Sequence, residues 1–509
     1  MKKQILIVAA VTAVFLAVGI DVSFAAGAKG GGTLAYATGT DATTLDPQFV
    51  TDVPTSRMVM HIHETLVYPD VEGNMQPILA ESWSISDDKL TWTFKLRKGV
   101  QFHDGTPFNA EAVKYTFDRI QDPGIGSPRK SAAKAVKEVK VIDEHTVAFV
   151  TDKPFAPFLA QLSAYNLAII SPAEGKKQGK KYGQNPCGTG PFKLGSWSPG
   201  EKMVLSRNDS YWGEKPAIDK LEVRIVPEDS SRVMMLLGGE VDVISSVPPV
   251  MISRLEKSKD VRIIKKTGFR TVYIGLNNTM KPFDDLRVRR AVAHAIDSEA
   301  IVKGVLGGVG TVGGGFESPV IPGAHKDLKP YAYNPAESKK LLAEAGYPNG
   351  FTVRFYTPTG RYLMDRQVAE AVQAQLKEVG IDARLQVPDW GAYQALLDKG
   401  TEAPIFLLGK GSPTGDLDLT ATLCAACKGK MNHFNYCNPE VDKLIEQQRS
   451  TVDVKERNEV LAKLQEIFYR EVPAVVLFYE DQIYGTRANV KGVEVNPNEF
   501  VGFFKAVKE

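Results

Sequence analysis

Two short loops in the C-terminal half of the chain hold side chains suited to gripping a small charged solute: residues 357–365 (TPTGRYLMD) and 409–418 (GKGSPTGDLD). Arg361 in the first presents a planar guanidinium that can meet a carboxylate with two parallel charge-assisted hydrogen bonds, a geometry lysine does not offer. On an exposed loop the same side chain can equally stay solvated. In the second loop, Asp416 and Asp418 either receive an ammonium group or, as short acids beside a glycine, close a turn or cap a helix. Lys410, if it faces a cleft, favours an acidic group on the ligand.

Other chemistries lack a matching pattern. Residues 308–313 (GVGTVG) fit GxGxxG, but a helical pattern precedes them and a proline-containing loop follows, the reverse of the strand-turn-helix order of a dinucleotide site. They read as a flexible loop. His61, His63 and Glu64 suggest a metal cluster, yet residues two apart on a helix face different directions, and His63-Glu64 has no second histidine four residues on. Both histidines are expected on a helix surface. Cys424-Ala-Ala-Cys427 could be a redox or zinc half-site, but no second CxxC or histidine pair accompanies it. With neither a GxSxG elbow nor a P-loop, hydrolase and NTPase readings have no motif. No cofactor or metal is expected.

The elements around the two loops decide whether they meet. Phe351, Val353 and Phe355 alternate as a strand, and Val368, Val372, Leu376 and Val379 form a helical stripe closed by Gly380. Ala383, Leu385 and Val387 alternate again, which makes a βαβ unit. A helix over 389–399 then leads to the buried strand Ile405-Phe406-Leu407-Leu408, which opens into the second loop. If these strands are parallel, as right-handed crossovers demand, both loops leave one carboxyl edge, where open α/β sheets bind ligands. Further on, Pro439 starts a helix after Asn438, and Val460, Leu461, Leu464, Ile467 and Phe468 line the next before a strand over 475–479.

Residues 80–113 (AESWSISDDKLTWTFKLRKGVQFHDGTPFNAEAV) add a second βα unit. Leu90, Trp92, Phe94 and Leu96 alternate with polar residues, residues 103–107 supply a turn, and Asn109 can cap a helix carrying Val113, Phe117 and Ile120 on one face.

At 509 residues and 43% hydrophobic, the chain can fill more than one core. Two lobes are expected. Lys2 and Lys3 precede an apolar run over 5–20, and Ser23-Phe24-Ala25 has the small residues of a signal-peptidase site, so residues 1–25 read as a signal peptide cut after Ala25. The run is shorter than the roughly 20 residues that span a bilayer. No cysteine near residue 25 offers a lipid anchor. Losing Lys2, Lys3 and Asp21 takes the formal charge from +2 to +1, which recommends neither a nucleic-acid nor a membrane partner.

The wording of residues 80–113 closely resembles the signature segment of the family 5 extracellular solute-binding proteins, which deliver peptides, nickel and related solutes to ABC transporters. TLDPQ (44–48), GTGPF (188–192), GLNN (275–278) with KPFDDLRVRRAVAHAID (281–297) and TPTGRY (357–362) look like family landmarks in family order. The resemblance implies an α/β, two-lobed periplasmic-binding-protein fold with a hinge. Lobe one would comprise residues 26–270, with an inserted subdomain near 66–171; lobe two would comprise 271–483, and 484–509 would return to lobe one. It implies a monomeric periplasmic receptor, not an enzyme, that hands a short peptide or peptide-like anion to ABC transporter permease subunits in the inner membrane. Nickel or a metal chelate is the alternative within the family, and a secreted enzyme the alternative outside it.

The resemblance also bears on single residues. It places a ligand-carboxylate arginine in or near the loop of Arg361. In peptide-binding relatives the second loop carries Trp-x-x-Asp, whose aspartate pairs with the peptide amine; here Lys410 and Pro413 stand at those positions, which puts a plain dipeptide in doubt. In oligopeptide-binding relatives a segment after Leu-Asp-Pro pairs with the ligand as an added strand. The corresponding residues are Thr51, Asp52 and Val53. Comparison with dipeptide-binding relatives suggests a disulfide between Cys424 and Cys437, leaving Cys187 and Cys427 unassigned.

Overall fold

A computed structural model describes residues 31–70, 73–388, 390–400 and 402–509. The expected leader and its cleavage site lie outside them. Among the described residues, no helix is long and apolar enough to cross a membrane.

One ten-stranded sheet runs through the molecule. From edge to edge its strands are Ile381–Gln386, Phe351–Tyr356, Ile405–Lys410, Val261–Leu276, Ala474–Arg487, Val243–Ser245, Thr33–Thr38, Lys220–Ile225, Lys202–Arg207 and Phe192–Ser198. Each half has parallel pairs: Phe351–Tyr356 lies between Ile381–Gln386 and Ile405–Lys410, and Thr33–Thr38 between Lys220–Ile225 and Val243–Ser245. The halves are joined by two long antiparallel strands, Val261–Leu276 and Ala474–Arg487, of 16 and 14 residues. Their ladder runs from Val261↔Arg487 to Thr267↔Asp481, breaks, and resumes at Thr271↔Tyr479. Gly268, Phe269 and Arg270 thus leave the register opposite Glu480.

Hydrophobic cores flank the break, and the largest extends past it, from Val272 and Phe355 to Ala37, Ile244 and Val261. One core gathers Val272, Phe355, Val372, Ile405 and Phe468, and another gathers Leu34, Tyr36, Phe192, Leu221 and Phe503. A third core, with Trp92, Phe94, Phe117, Phe149 and Phe158, belongs to an inserted subdomain. There the four-stranded sheet Ala80–Ile85, Thr91–Leu96, Thr146–Val150 and Glu138–Asp143 packs on the helix Ala110–Gln121, which Asn109 caps through the Ala112 N–H. Arg119 on that helix is buried and reaches out of the subdomain to Asp46 (2.7 Å) and Gln48 (2.6 Å). A two-lobed α/β fold with an added subdomain results. The C-terminal helices also form, as Pro439–Ser450 and Val454–Glu471.

Two expectations need correction here. His61 and His63 are not on a surface: both are fully buried, because the helix Val53–Ile62 is covered on the His61 side by the C-terminal segment. The His61 ring sits among Phe192, Phe500, Phe503 and Phe504; its Nδ1 meets the Arg57 carbonyl at 2.7 Å, and its Nε2 has no partner among the described residues. The loop at 308–313 is tied rather than free: Thr311 pairs with Tyr479, and the Gly310 N–H donates to Asp481.

Burial disfavours the charged imidazolium and holds His61 down to about 4 and His63 to about 3. Both folded values lie below the free value near 6.5, so the unfolded chain binds more protons in that interval. Stability should therefore be full above about pH 6.5 and fall as pH drops toward 4, His61 contributing at most about 3 kcal/mol of the loss. His61→Phe, which suits the aromatic cage, should flatten the fall in melting temperature between neutral and mildly acidic pH. An unchanged pH profile would count against this account.

Candidate functional site

Because Phe351–Tyr356 and Ile405–Lys410 are parallel neighbours, the loops at 357–365 and 409–418 leave the same edge of the sheet. They touch: the Tyr362 hydroxyl donates to the Gly409 carbonyl at 3.0 Å. The first loop is folded around Asp365, whose buried carboxylate accepts from the N–H groups of Gly360 (3.0 Å), Arg361 (2.8 Å) and Tyr362 (3.0 Å). That wrapping aims Arg361 outward. Its guanidinium carbon lies 5.0 Å from the Tyr362 ring centroid and 5.2 Å from that of Trp390, which is 38% exposed. Stacking on aromatic faces steadies a guanidinium while leaving its N–H edge available. Among the described residues no carboxylate pairs with Arg361.

Beside it, at the break between the crossing strands, lies a chain of charges that links all the surrounding elements. Arg270 Nε meets Glu480 Oε2 at 2.8 Å, and its Nη2 meets Glu499 Oε1 at 2.7 Å. Glu499 Oε2 in turn pairs with Arg57 Nη2 at 3.0 Å, and Arg57 Nε donates to the Glu499 carbonyl at 2.7 Å. Glu480 Oε1 also accepts the Leu363 N–H at 3.3 Å, tying the Arg361 loop to the crossing strand. Two guanidiniums approach the Tyr362 ring, Arg270 at 5.9 Å and Arg361 at 5.0 Å from its centroid. Burial raises the Glu480 carboxyl in spite of Arg270. Burial pushes Glu499 the same way, but Arg270 and Arg57 outweigh it and hold that carboxyl below its ordinary value.

The acids expected to take an amine are already matched to cations. Asp416 caps the short helix Leu417–Thr420 and accepts two hydrogen bonds from Arg457, at 2.8 and 2.7 Å. Asp418 holds Arg449 (2.7 and 3.2 Å) and Gln448 (2.6 Å). Lys410 is no free cation either: it is buried, 2.6 Å from Glu317 and 3.2 Å from Thr420 Oγ1, over the Phe316 ring. Desolvating such a pair costs enough that removing one partner typically destabilises by about 3–5 kcal/mol, so the pair serves the fold. Arg449 links Asp418 to the subdomain, since its carbonyl accepts from the Ala156 N–H (2.6 Å) and its guanidinium lies over Phe155.

Thr51, Asp52 and Val53 do not form a free strand edge. Val53 opens the helix Val53–Ile62, Asp52 caps it by accepting from Thr55 N at 2.9 Å, the Asp52 carbonyl accepts from Ser56 N, and the Thr51 carbonyl accepts from Arg129. Helical geometry from residue 53 onward removes the ladder that an added strand needs. The disulfide also differs from expectation: Cys427 pairs with Cys437, whereas Cys424 is buried and free, like Cys187. Cys424 lies in the π-helical turn Ala421–Ala425, which turns its thiol into the core. Among the described residues, no group of three or more His, Cys, Asp or Glu side chains is placed to hold a metal ion.

Sequence reasoning missed Arg57, Arg270, Glu480, Glu499, Glu317 and Trp390. Arg57 and Glu499 are 442 residues apart, and no local pattern marks either. The one available signal was position, since Arg270 and Glu480 fall where the chain was expected to cross between lobes.

A two-lobed α/β fold with a hinge in its central sheet is the architecture of a solute receptor; here a steadied guanidinium, without a carboxylate partner among the described residues, lies at the carboxyl edge beside the hinge. The chain belongs to the bacterial extracellular solute-binding proteins, family 5, whose middle region matches residues 74–432. It is 33% identical over 476 residues to the glutathione-binding protein GsiB of Escherichia coli K12, covering 92% of this chain and 93% of that protein. Among solved structures it resembles the periplasmic binding protein DppA from Helicobacter pylori in complex with the peptide STSA (31% identity, TM-score 0.79, 94% of this chain and 99% of that one). It also resembles a dipeptide-binding protein from Pseudoalteromonas sp. SM9913 in complex with Met-Leu (25% identity, TM-score 0.80, 94% and 100%).

Alkylation of the unreduced, denatured protein should tag Cys187 and Cys424 alone; tagged Cys427 or Cys437 would refute the pairing. Reduction of the bridge should destabilise the fold by about 2–3 kcal/mol.

Proposed function

We propose that this chain is the substrate-binding component of an ABC importer and captures a short peptide or peptide-like anionic solute between its lobes. Arg361 is the residue that takes the solute's carboxylate. One observation carries this reading: Arg361 is held on Tyr362 and Trp390 without a carboxylate partner among the described residues, while Glu317, Asp416, Asp418, Glu480 and Glu499 each already pair with a cation. The solute therefore supplies the anion, and none of these five acids waits for an ammonium group. The relatives fit, since GsiB is named for glutathione and DppA was solved with a peptide.

The proposed lobes comprise residues 26–270 with 484–509, and 271–483, with the subdomain at about 66–171 inserted in the first. They close about the break in the crossing strands. Closure withdraws the solute from water, which strengthens the pairing with Arg361 and makes release wait on reopening. The closed form is then presented to permease subunits in the inner membrane by a periplasmic, monomeric receptor that a signal peptide exports without a lipid anchor. The ligand leaves the protein unchanged, so no turnover accompanies binding.

Thermal unfolding of protein stripped of carried-over ligand tests the reading. Ligand at about a hundred times its dissociation constant adds roughly 2.7 kcal/mol. Free tripeptides, their N-acetylated forms and glutathione should stabilise, C-terminally amidated peptides and Ni(II) should not, and Arg361→Met should abolish the response. Loss of binding on acetylation, or an undiminished response in Arg361→Met, would sink the assignment.

A further inference from the structure

Arg361 does not stand alone in its charge field. Arg57, Arg270 and Arg361 carry three positive charges; Glu480 and Glu499 carry two negative ones, and the four members other than Arg361 form one unbroken chain of ion pairs. These four are largely buried, with side-chain exposures of 13% and 10% for the arginines and 22% and 21% for the glutamates. Arg361 is the exposed end of the cluster, packed against the Tyr362 ring that Arg270 approaches from within. Its charge draws both carboxyls downward, against the burial that still leaves Glu480 above its ordinary value while Glu499 sits below it. The cluster as a whole is left with a single surplus positive charge.

We propose that Glu480 is a specificity-determining residue of the carboxylate subsite, limiting it to a group of one negative charge. This rests on the assignment of Arg361 as the residue that meets the solute. A monoanionic carboxylate completes the alternation of charges. A dianionic group leaves one negative charge unmatched beside Glu480, in a seam with little water to screen the repulsion. Glu480 fits the role because it belongs to the crossing strand Ala474–Arg487, is fixed by Arg270, and grips the Arg361 loop through the Leu363 N–H. Its charge and the position of Arg361 are thereby set together. The subsite separates carboxylates from phosphates and phosphonates in their dianionic form.

The test uses three forms of one N-acetylated tripeptide: the free C-terminal carboxylate, its neutral amide, and the analogue with a phosphonate in place of the carboxylate, above the pH of its second ionisation. Calorimetric titration of the full mature chain should rank the carboxylate about tenfold or more above both others. In Glu480→Gln, which can still accept from the Leu363 N–H, the gap between carboxylate and phosphonate should close by about fivefold or more. Glu480→Asp, which keeps the charge, should retain the wild-type ratio. Glu499→Gln removes the other carboxylate and should move the ratio in the same direction as Glu480→Gln, so the inference survives a failure of one variant to fold. A wild-type protein that prefers the carboxylate, with the ratio unmoved in the neutral variants, overturns the role of Glu480 and leaves Arg361 standing. A wild-type protein indifferent to all three forms overturns both.

Discussion

The antiparallel ladder between Val261–Leu276 and Ala474–Arg487 is the constraint on which the molecule depends, because these strands belong to both halves of the central sheet. A continuous ladder would make the halves one rigid slab. Here the register fails for Gly268, Phe269 and Arg270, and the groups freed there turn to other partners. The Gly268 carbonyl accepts from Ser318, the Phe269 N–H donates to Pro497, and the Phe269 ring joins a small cluster with Ile321, Leu417 and Leu461. The ladder's main interruption thus spans three residues, with a second register shift between Val272 and Tyr273, while the hydrogen bonds lost at the interruption are replaced locally.

The same break supplies the site. Arg270 leaves the strand where Glu480 lies opposite it, and their pairing recruits Glu499 and Arg57 from the C-terminal segment and the first helix. Buried ion pairs of this kind add little net stability, since desolvation offsets the attraction, but they fix geometry because every alternative leaves a charge unmatched. Arg361 gains its setting from that framework: Asp365 shapes its loop, Leu363 anchors the loop to Glu480, and Tyr362 and Trp390 steady the guanidinium. If Arg361 takes the solute's carboxylate as proposed, that group meets a guanidinium whose position is already set, which limits the entropy lost on binding.

Away from the crossing strands, the subdomain touches the helix Pro439–Ser450. The Ala156 N–H reaches the Arg449 carbonyl, Arg449 lies over Phe155, and Lys153 pairs with Glu446 at 3.2 Å. Both members of that last pair are mostly exposed, so it holds weakly and breaks readily. Asp418 acts here through Arg449.

The sequence by itself determined what depends on neighbours in the chain. The alternation of Trp92, Phe94 and Leu96, the cap at Asn109, and the βαβ order that sends residues 357–365 and 409–418 to one edge were all legible, because strand period, helix caps and crossover handedness are local rules. Family wording supplied the two-lobed fold in the same way. Only the tertiary structure decided which charges remain unmatched. Lys410, Asp416 and Asp418 read as ligand-facing, yet Glu317, Arg457 and Arg449 neutralise them from 93, 41 and 31 residues away. The histidines at 61 and 63 looked exposed until the C-terminal segment covered one and Tyr182 met the other. Whether a charge serves the fold or the ligand is set by partners far off in sequence, because electrostatic pairing acts through space and leaves no period along the chain.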